Sequence, residues 1–494
     1  MRPRSLLKFG KRWDKLSREE VRSAQSQQLH HYLKNVVLPF SKHYREKFAA
    51  AGVTANDIRS IDDLAKVPFT TKKDLITQDD GRDPAKDFVI IPDQAILKKR
   101  PSVILRAMLK GKAALQAQMQ HEFRPILLTS TTGRSTAPVP FLYTRHDIQN
   151  LKIAGRRLMT VCDSVQDNKH MNLFPFAPHL AFWQMHYAGI GATTFNLSTG
   201  GGKTMGTIGN VQLLGRFKPD ALIGMPTFIY HMLNIAIDEG IENPNIKRVV
   251  LGGEKVPDGM RRKLRSLCGK LGSTDVHVMA TYGFTEAKMA MPECSAPEGN
   301  DAWGYHLYPD LLYIEIIDPD TGEILPDNTP GEIVATALDS RGSAMIRYRT
   351  GDLISGGLSY EPCPNCGRTC PRLIGRISRV SDFRRLSLGK VKGTLVNFNE
   401  LEHILDDFEE IGTWQLEIRK KNDDPLETDL LIVHVAKRPM VEEAALSQKI
   451  EERLKIGAEI RPNEIIFHDV ATLSTMQGVG ESLKEEKIID RRPQ

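Results

Sequence analysis

The chain has 494 residues, 40% of them hydrophobic and 26% charged, with 67 Lys and Arg against 61 Asp and Glu and a formal net charge of +6. This is the composition of a globular protein with material for more than one core, and the length predicts two to four units. The mild basic excess fits small anionic ligands and excludes nucleic acid as a partner, and the lack of any run of about 18 apolar residues excludes a membrane span.

The N-terminal stretch Met1–Glu20 is basic but lacks the apolar core of a signal peptide. Six cysteines (Cys162, Cys268, Cys294, Cys363, Cys366 and Cys370) do not make a secreted disulfide framework in a chain of this length, so a reduced, cytoplasmic protein is expected.

Residues 14–50 have the helical pattern, with Leu29, Leu33, Val36, Val37 and Phe40 on one face, and the paired His30 and His31 are expected at the surface of the first helix. A helical N-terminal extension over about residues 1–60 follows from this. Residues 97–121 form a basic, Ala/Leu/Lys-rich helical stretch. It reads as a solvated amphipathic helix, with a membrane-surface or partner helix as the rival reading.

From 125 to 290, short apolar runs alternate with helical patterns: Ile126–Leu128, Met171–Phe174, Ala192–Asn196, Ala221–Met225, Arg248–Leu251 and Val276–Ala280. Several end in Gly, Ser or Thr clusters, which predicts an α/β sheet with ligand loops at the carboxyl ends of its strands. Residues 311–353 read as β-rich, with turns at Pro319–Gly322 and Pro326–Asn328. After residue 380 the pattern restarts as a small α+β unit. The predicted fold class is therefore α/β, with a large N-terminal domain (1–380) and a small C-terminal α+β domain (381–494).

Four stretches carry candidate chemistry. The loop Leu128–Thr136 supplies backbone and hydroxyl donors from Thr129, Ser130, Thr131, Thr132 and Gly133 and a fixed positive charge from Arg134, a set that suits a triphosphate. It is not a Walker A loop. Gly200–Thr204 ends like one, but Leu197 stands where the first Gly is required, so a tight turn after a strand is expected there. In the run Ala280–Glu286 a strand ends in a turn presenting Thr285 and Glu286, and such a carboxylate can hold Mg²⁺ bridging phosphates. Gly252, Gly253 and Glu254 form a further ligand-facing loop. In Arg347–Asp352, an Asp exposed at a strand end can accept bonds from both ribose hydroxyls.

In this order, the Ser/Thr loop, Gly252-Gly253-Glu254, Tyr282–Glu286, Tyr348–Asp352 and a C-terminal Lys resemble the adenylate-forming superfamily, and within it the phenylacetate–CoA ligase family. Val67–Leu75, Gly304–His306, Ile316–Glu323 and Cys366–Thr369 support the likeness, which covers roughly residues 60–490. It implies a mobile C-terminal lid and an acyl-adenylate made from ATP, Mg²⁺ and a small carboxylic acid, with the acyl group then passed to coenzyme A. By the same likeness, Thr129 to Arg134 bind phosphates, and Gly252, Gly253, Glu254, Thr281, Tyr282 and Gly283 frame the nucleotide. Thr285 touches phosphate, Glu286 binds Mg²⁺, Asp352 holds the ribose, Arg376 and Arg379 join the nucleotide set, and Asp382 is the hinge. Leu483–Asp490 resembles the family's G-K-A-x-R-V-I-D and makes Lys484 the catalytic lysine, stabilising charge during attack on the α-phosphorus.

The chain departs from the family pattern: its phosphate loop is one Gly short and carries Arg134 for Lys, Leu483 replaces a Gly, the hinge reads Arg379–Phe383, and residues Leu388 to Thr394 are extra. The altered hinge keeps two rivals open. One is an adenylating enzyme with an amine, hydroxyl or carrier-protein acceptor, and the other a degenerate nucleotide-binding protein. A homodimer is left open.

Cys363-x-x-Cys366 in a Pro/Gly-rich turn (363–370) reads as half of a zinc site. The likeness supplies Cys294 and His306, giving a closed, structural Cys₃His set, with Cys370 competing with Cys294. Unmetallated loop cysteines are the alternative, and no thioredoxin-like context favours a redox pair. Phe174, Phe176, His179, Phe182 and Trp183 form an aromatic stripe. It reads as core or as an acyl pocket, in which Phe176 and Trp183 would contact an aromatic or medium-chain acid.

Overall fold

The computed structural model describes residues 12–76, 84–131, 138–164, 166–296, 304–379, 389–391, 394–396, 398–423, 427–458, 460–479 and 485–492. Two compact units divide the chain. The first comprises Met1–His170, Phe176–Asn196 and Thr281–Ile377, and the second Met171–Pro175, Leu197–Ala280 and Ser378–Gln494.

In the first unit a capping box, Ser17 with Glu20, starts the helix Arg18–Tyr32. A π turn (Leu33–Val37) and the helices Leu38–Phe40 and Lys42–Ala50 follow. The five apolar residues expected on the inner face are all buried. The histidines differ from expectation. Both are half-buried, and the segment 54–61 folds back over the first of them, with His30 Nδ1 2.8 Å from the Ile58 carbonyl.

The strand Pro125–Ser130 pairs antiparallel with Pro140–Thr144 in a ladder of two, rather than joining a parallel sheet. The nine residues between them are too few for a parallel crossover. A second capping box, Thr144 with Asp147, starts the long helix Arg145–Val161. The β-rich region is an antiparallel sheet of Leu312–Ile317, Gly331–Ala337 and Tyr348–Ile354. Its predicted turn at Pro319–Gly322 is fixed by Asp318, whose carboxylate accepts from the backbone N–H groups of Asp320 and Thr321.

The second unit has a parallel core. Ala221–Gly224, Arg248–Leu251 and the first half of His277–Phe284 lie side by side, Val249 opposite both Leu222 and Val278. The strand expected to stop at Ala280 runs on to Phe284, and from Thr281 it pairs antiparallel with Met289–Pro292. At the decoy loop, Gly200 and Gly201 take left-handed φ of 77° and 71° and the chain turns straight into the helix Gly201–Phe217. The C-terminal part of this unit mixes strands and helices: the sheet order is Glu464–Phe467, Asp429–Lys437, Ile411–Lys420, Ile488–Asp490, covered by the helices Phe398–Asp406, Glu443–Ala458 and Val470–Met476. Trp414, Leu416, Val433, Val435 and Ile450 form its core. It packs on the helix Asp258–Lys270, where only a glycine fits: a Cβ at Gly259 would stand 2.0 Å from the Asp406 carbonyl.

The first unit is pinned by a buried ion pair. Arg157 meets Asp310 with both nitrogens, at 2.5 and 2.9 Å, under the ring of Trp13. Removing one partner leaves the other charge buried and unpaired. Arg157→Met is expected to lower unfolding free energy by about 3–5 kcal/mol in urea denaturation followed by tryptophan fluorescence. The double variant Arg157→Met/Asp310→Leu is expected to recover most of that loss.

Candidate functional site

The first unit joins two motifs that lie far apart in sequence. Tyr282 Oη donates to Asp352 Oδ2 at 2.8 Å, and Tyr348 Oη donates to Glu286 Oε1 at 2.7 Å. Asp352 is not exposed at a strand end as expected; it is 4% exposed and lies within the strand Tyr348–Ile354. The cause is a bulge: the register slips between Glu332 and Val334, and Gly351 takes φ of 72°. A bulge re-aims side chains, and this one turns Asp352 toward Tyr282. Thr350 holds the bulge, its Oγ1 donating to the Ile333 carbonyl at 2.8 Å and accepting from the Asp352 N–H at 3.0 Å.

Thr285 and Glu286 occupy a 3₁₀ turn closed by Lys288 in the left-handed region, φ 58°. Thr281 and Gly283 flank it on the strand, and a Cβ at Gly283 would press on Ala290 Cβ at 2.7 Å. The predicted phosphate loop is described only in part. Thr129 is buried and donates to Tyr143 Oη at 3.2 Å. The Ser130 N–H donates to the Pro178 carbonyl, the Ser130 carbonyl lies 3.0 Å from His179 Nδ1, and Thr131 Oγ1 accepts from the Val139 N–H. Thr132, Gly133 and Arg134 lie outside the described residues, as do Asp382 and Lys484. Arg376 is exposed, its backbone N–H bound to Ser355 Oγ.

In the second unit, Gly253 takes φ of 83° at the carboxyl end of the strand Arg248–Leu251 and delivers Glu254. Thr227 donates to Glu254 Oε2 at 2.9 Å, while Glu254 Oε1 and Glu485 Oε2 are shut off from solvent and have no hydrogen-bond partner among the described residues. Burial raises both carboxyls. Glu485 reaches about 8, pushed by burial first and then by the charge of Glu254. Beside them, Lys487 donates to Asp406 Oδ1 at 2.9 Å, over the ring of Trp414. Burial pulls the Lys487 ammonium down, but Asp406 and Glu485 outweigh it and hold it above its ordinary value. Lys263 is pushed down to about 8 by burial, against the pull of Asp406. Sequence reasoning missed Glu485 and Lys487 because their weight comes from burial, and a charged run reads as solvated. Tyr348 carried a signal, as the first residue of the Tyr348–Asp352 motif. Arg379 is exposed at the end of the short strand Ile377–Arg379.

Four soft donors meet in the first unit. Cys294, His306, Cys363 and Cys366 place their ligand atoms all within 4.8 Å of one another. Cys294 Sγ is 3.8 Å from Cys363 Sγ, and Cys366 Sγ is 3.6 Å from His306 Nε2. A tetrahedral ion with arms of about 2.3 Å to sulfur and 2.05 Å to nitrogen has edges of about 3.8 and 3.6 Å. Cys370 does not compete for this place: its Sγ lies 3.5 Å from the other ring nitrogen, Nδ1. The turn is set by Gly367 (φ 69°) and two backbone bonds, Cys363 N–H to Arg368 O and Gly367 N–H to Cys363 O. No two of the six cysteines are joined in a disulfide, and the 3.8 Å between Cys294 and Cys363 is far from one.

Of the aromatic stripe, Phe182 is buried, while Phe176 is 63% exposed and stands 5.9 Å from the Trp183 ring.

The AMP-binding enzyme family matches residues 146–338. A phenylacetate–coenzyme A ligase of Pseudomonas putida is 29% identical over 69% of this chain and 66% of its own length. One from Escherichia coli (strain K12) is 27% identical over 90% of this chain and 87% of its own. Among solved structures, a 2-hydroxyisobutyryl-CoA ligase in the postadenylation state has the same fold, with a TM-score of 0.76 at 20% identity over 97% of this chain and 92% of its own.

The Glu485 carboxyl gives a pH test. In the folded protein it keeps its proton up to about pH 8, whereas its ordinary value is 4.5. Between these values the folded state binds more protons, so stability falls as pH rises through the window. Glu485→Gln is expected to flatten the fall in thermal stability between pH 5 and pH 8. A slope as steep as that of the unaltered protein would place the titration elsewhere.

Proposed function

We infer that this chain, which belongs to the AMP-binding enzymes and is related to phenylacetate–coenzyme A ligases, is an AMP-forming acid–thiol ligase: it activates a carboxylic acid with ATP and passes the acyl group to coenzyme A. The observation that carries the reading is the closure of one motif on the other by the Tyr282–Asp352 and Tyr348–Glu286 hydrogen bonds.

In the first half-reaction a carboxylate oxygen of the acid attacks the α-phosphorus, the bond to the β-phosphate oxygen breaks, and pyrophosphate leaves. In the second, the thiol sulfur attacks the acyl carbon, the bond to AMP breaks, and the thiol proton goes to solvent. Asp352, oriented by Tyr282, holds the ribose. Glu286, oriented by Tyr348, is the carboxylate for Mg²⁺, which takes one or two carboxylates along with phosphate oxygens. Ser130 to Arg134 and Thr285 bind phosphates, whereas Thr129, buried and with its hydroxyl given to Tyr143, supports the loop from beneath. Gly252, Gly253 and Glu254 frame the nucleotide, with Arg376 and Arg379 in the same set. Lys484 offsets charge at the α-phosphorus, and Asp382 is the hinge of a lid formed by residues 381–494. Phe176 and Trp183 suit an aromatic or medium-chain acid.

Zn²⁺ fits the Cys294, His306, Cys363 and Cys366 donors, whose spacing suits a closed tetrahedral site with a structural role. Held by these residues, such an ion would offset the charge of three close thiolates and would tie the strand Tyr305–His306 to the 363–370 turn. His306 Nδ1 then faces Cys370, which orients the ring. The chemistry belongs to a reduced, cytoplasmic setting.

Pyrophosphate release with ATP and Mg²⁺, across aryl, fatty and hydroxy acids, tests the reading. Acid-dependent release that rises with coenzyme A and yields AMP and a thioester is expected. Release that rises with hydroxylamine or a carrier protein but not with coenzyme A would replace the acceptor. Absence of release with every acid would leave a nucleotide-binding protein. Glu286→Gln is expected to cut acid-dependent release by about 10²-fold while the fold is kept. For the cysteine site, a metal assay is expected to find one zinc per chain. Its removal by chelation, or Cys363→Ser, is expected to lower the melting temperature and leave ATP binding in place.

A further inference from the structure

Six of the 67 basic residues, Lys98, Lys99, Arg100, Arg106, Lys110 and Lys112, fall between Gln94 and His121, a stretch of 28 residues without a single Asp or Glu. The rest of the chain holds 61 of each sign, so this segment accounts for the whole net charge of +6. It folds as three consecutive helices, Gln94–Lys98, Pro101–Lys110 and Lys112–Phe123. Its inner side is anchored: Arg100 donates to the Asn35 carbonyl at 2.9 Å and lies over the Phe40 ring, Val103 and Met119 pack on the first unit's core, and Phe123 meets Phe40 edge-on.

The other side of Pro101–Lys110 is apolar and bare. Ile104, Leu105, Met108 and Leu109 are 39, 58, 77 and 75% exposed. Their spacing (i, i+1, i+4, i+5) puts them on one helix face. No residue among them is aromatic, and the exposed Lys98, Lys99 and Lys112 stand beyond the two ends of that helix. Four flexible aliphatic side chains with ammonium groups at both ends match an apolar layer lying beneath anionic headgroups, into which such a helix sinks parallel to the surface while its lysines reach up to the phosphates. A nucleic acid would meet the charge but leave the aliphatic face in water. No helix among the described residues is long and apolar enough to cross a membrane.

We propose that the helix Pro101–Lys110, with its flanking lysines, is a docking surface for an anionic lipid bilayer. The feature is independent of the ligase reading, because it uses none of the site residues.

Sedimentation of the purified protein with phosphatidylcholine vesicles, pure or with about one third phosphatidylglycerol, tests it. The protein is expected to pellet with the anionic vesicles, to stay in solution with neutral ones, and to be released by raised salt. Leu105→Glu/Met108→Glu is expected to abolish pelleting, and Lys98→Glu/Lys99→Glu to weaken it about tenfold or more. All four positions are exposed, so an unchanged thermal transition checks that the variants fold. Failure of the unaltered protein to pellet with anionic vesicles overturns the proposal, as does undiminished pelleting of the Leu105→Glu/Met108→Glu variant. If the unaltered protein is instead a dimer that this double variant splits, without vesicle binding, the face is an interface between copies and the lipid proposal falls.

Discussion

The arrangement of the first unit depends on one buried carboxylate. Asp147 Oδ2 accepts from the backbone N–H groups of Thr144 at 2.9 Å and Gly342 at 2.7 Å, and Oδ1 accepts from the Arg341 N–H at 3.1 Å with Lys288 Nζ at 3.5 Å. Burial pushes this carboxyl up, but Lys288 and the surrounding donors outweigh it and hold it below its ordinary value. A buried charge without such partners would cost several kcal/mol. Asp147 therefore sets three things together: the start of the helix Arg145–Val161, the loop 339–343 that feeds the strand Tyr348–Ile354, and the position of Lys288. Lys288 ends the turn that carries Thr285 and Glu286, its N–H donating to the Thr285 carbonyl. Gly342 is required at this crossing, since a Cβ there would stand 2.0 Å from the Leu142 carbonyl.

From that anchor the site geometry follows. The loop 339–343 leads into Arg347, whose φ of 51° is unusual for a residue with a side chain. It is held there because its guanidinium donates to the Ala65 and Val67 carbonyls and pairs with the buried Glu315. Its own carbonyl accepts from the Thr70 N–H, and the Arg349 N–H returns to the Thr70 carbonyl. The strand thus enters with its register fixed before the bulge at 350–352 aims Asp352 at Tyr282. Constraints of this kind place a carboxylate without leaving its position to side-chain freedom, which is what a pre-organised site needs.

The amphipathic helices and the parallel strands were legible in the sequence because their signal is local: Arg248–Leu251 is found where the apolar run places it, and the capping residues mark helix starts. The motifs were legible too, although the sequence does not say which side chains touch. Asp352 was misplaced because its burial comes from a bulge two strands wide, which leaves no local pattern beyond Gly351. The Pro125–Ser130 strand was assigned to the wrong sheet because its apolar residues match either sheet equally, and only the short return to Pro140 distinguishes them. Cys370 could not be told from Cys294 by spacing. The difference is that it meets the opposite nitrogen of the His306 ring. Glu485 and Lys487 sit in a charged run that reads as solvated, but Lys487 is held by Asp406 over the Trp414 ring and Glu485 is turned toward Glu254.

The placement of charge also changes how anions are recognised here. A mildly basic chain fits anionic ligands in general, but the excess resides in residues 94–121 and the remainder is balanced. Long-range steering of a polyphosphate therefore owes little to net charge, and it weakens further within about 8–10 Å of salt solution. Recognition has to come from short-range donors: hydroxyls, turn N–H groups and single cations placed by the fold. Four of the buried cations among the described residues are committed to carboxylates, Arg157 to Asp310, Arg347 to Glu315, Lys288 to Asp147 and Arg341 to Asp339 and Glu122, and the half-buried Lys487 is committed to Asp406. These pairs hold the scaffold together, so the charge that meets a phosphate has to come from the loops the scaffold presents. That division is seen along the motifs themselves, where Arg347 fixes the strand that carries Asp352 and Lys288 ends the turn that carries Glu286.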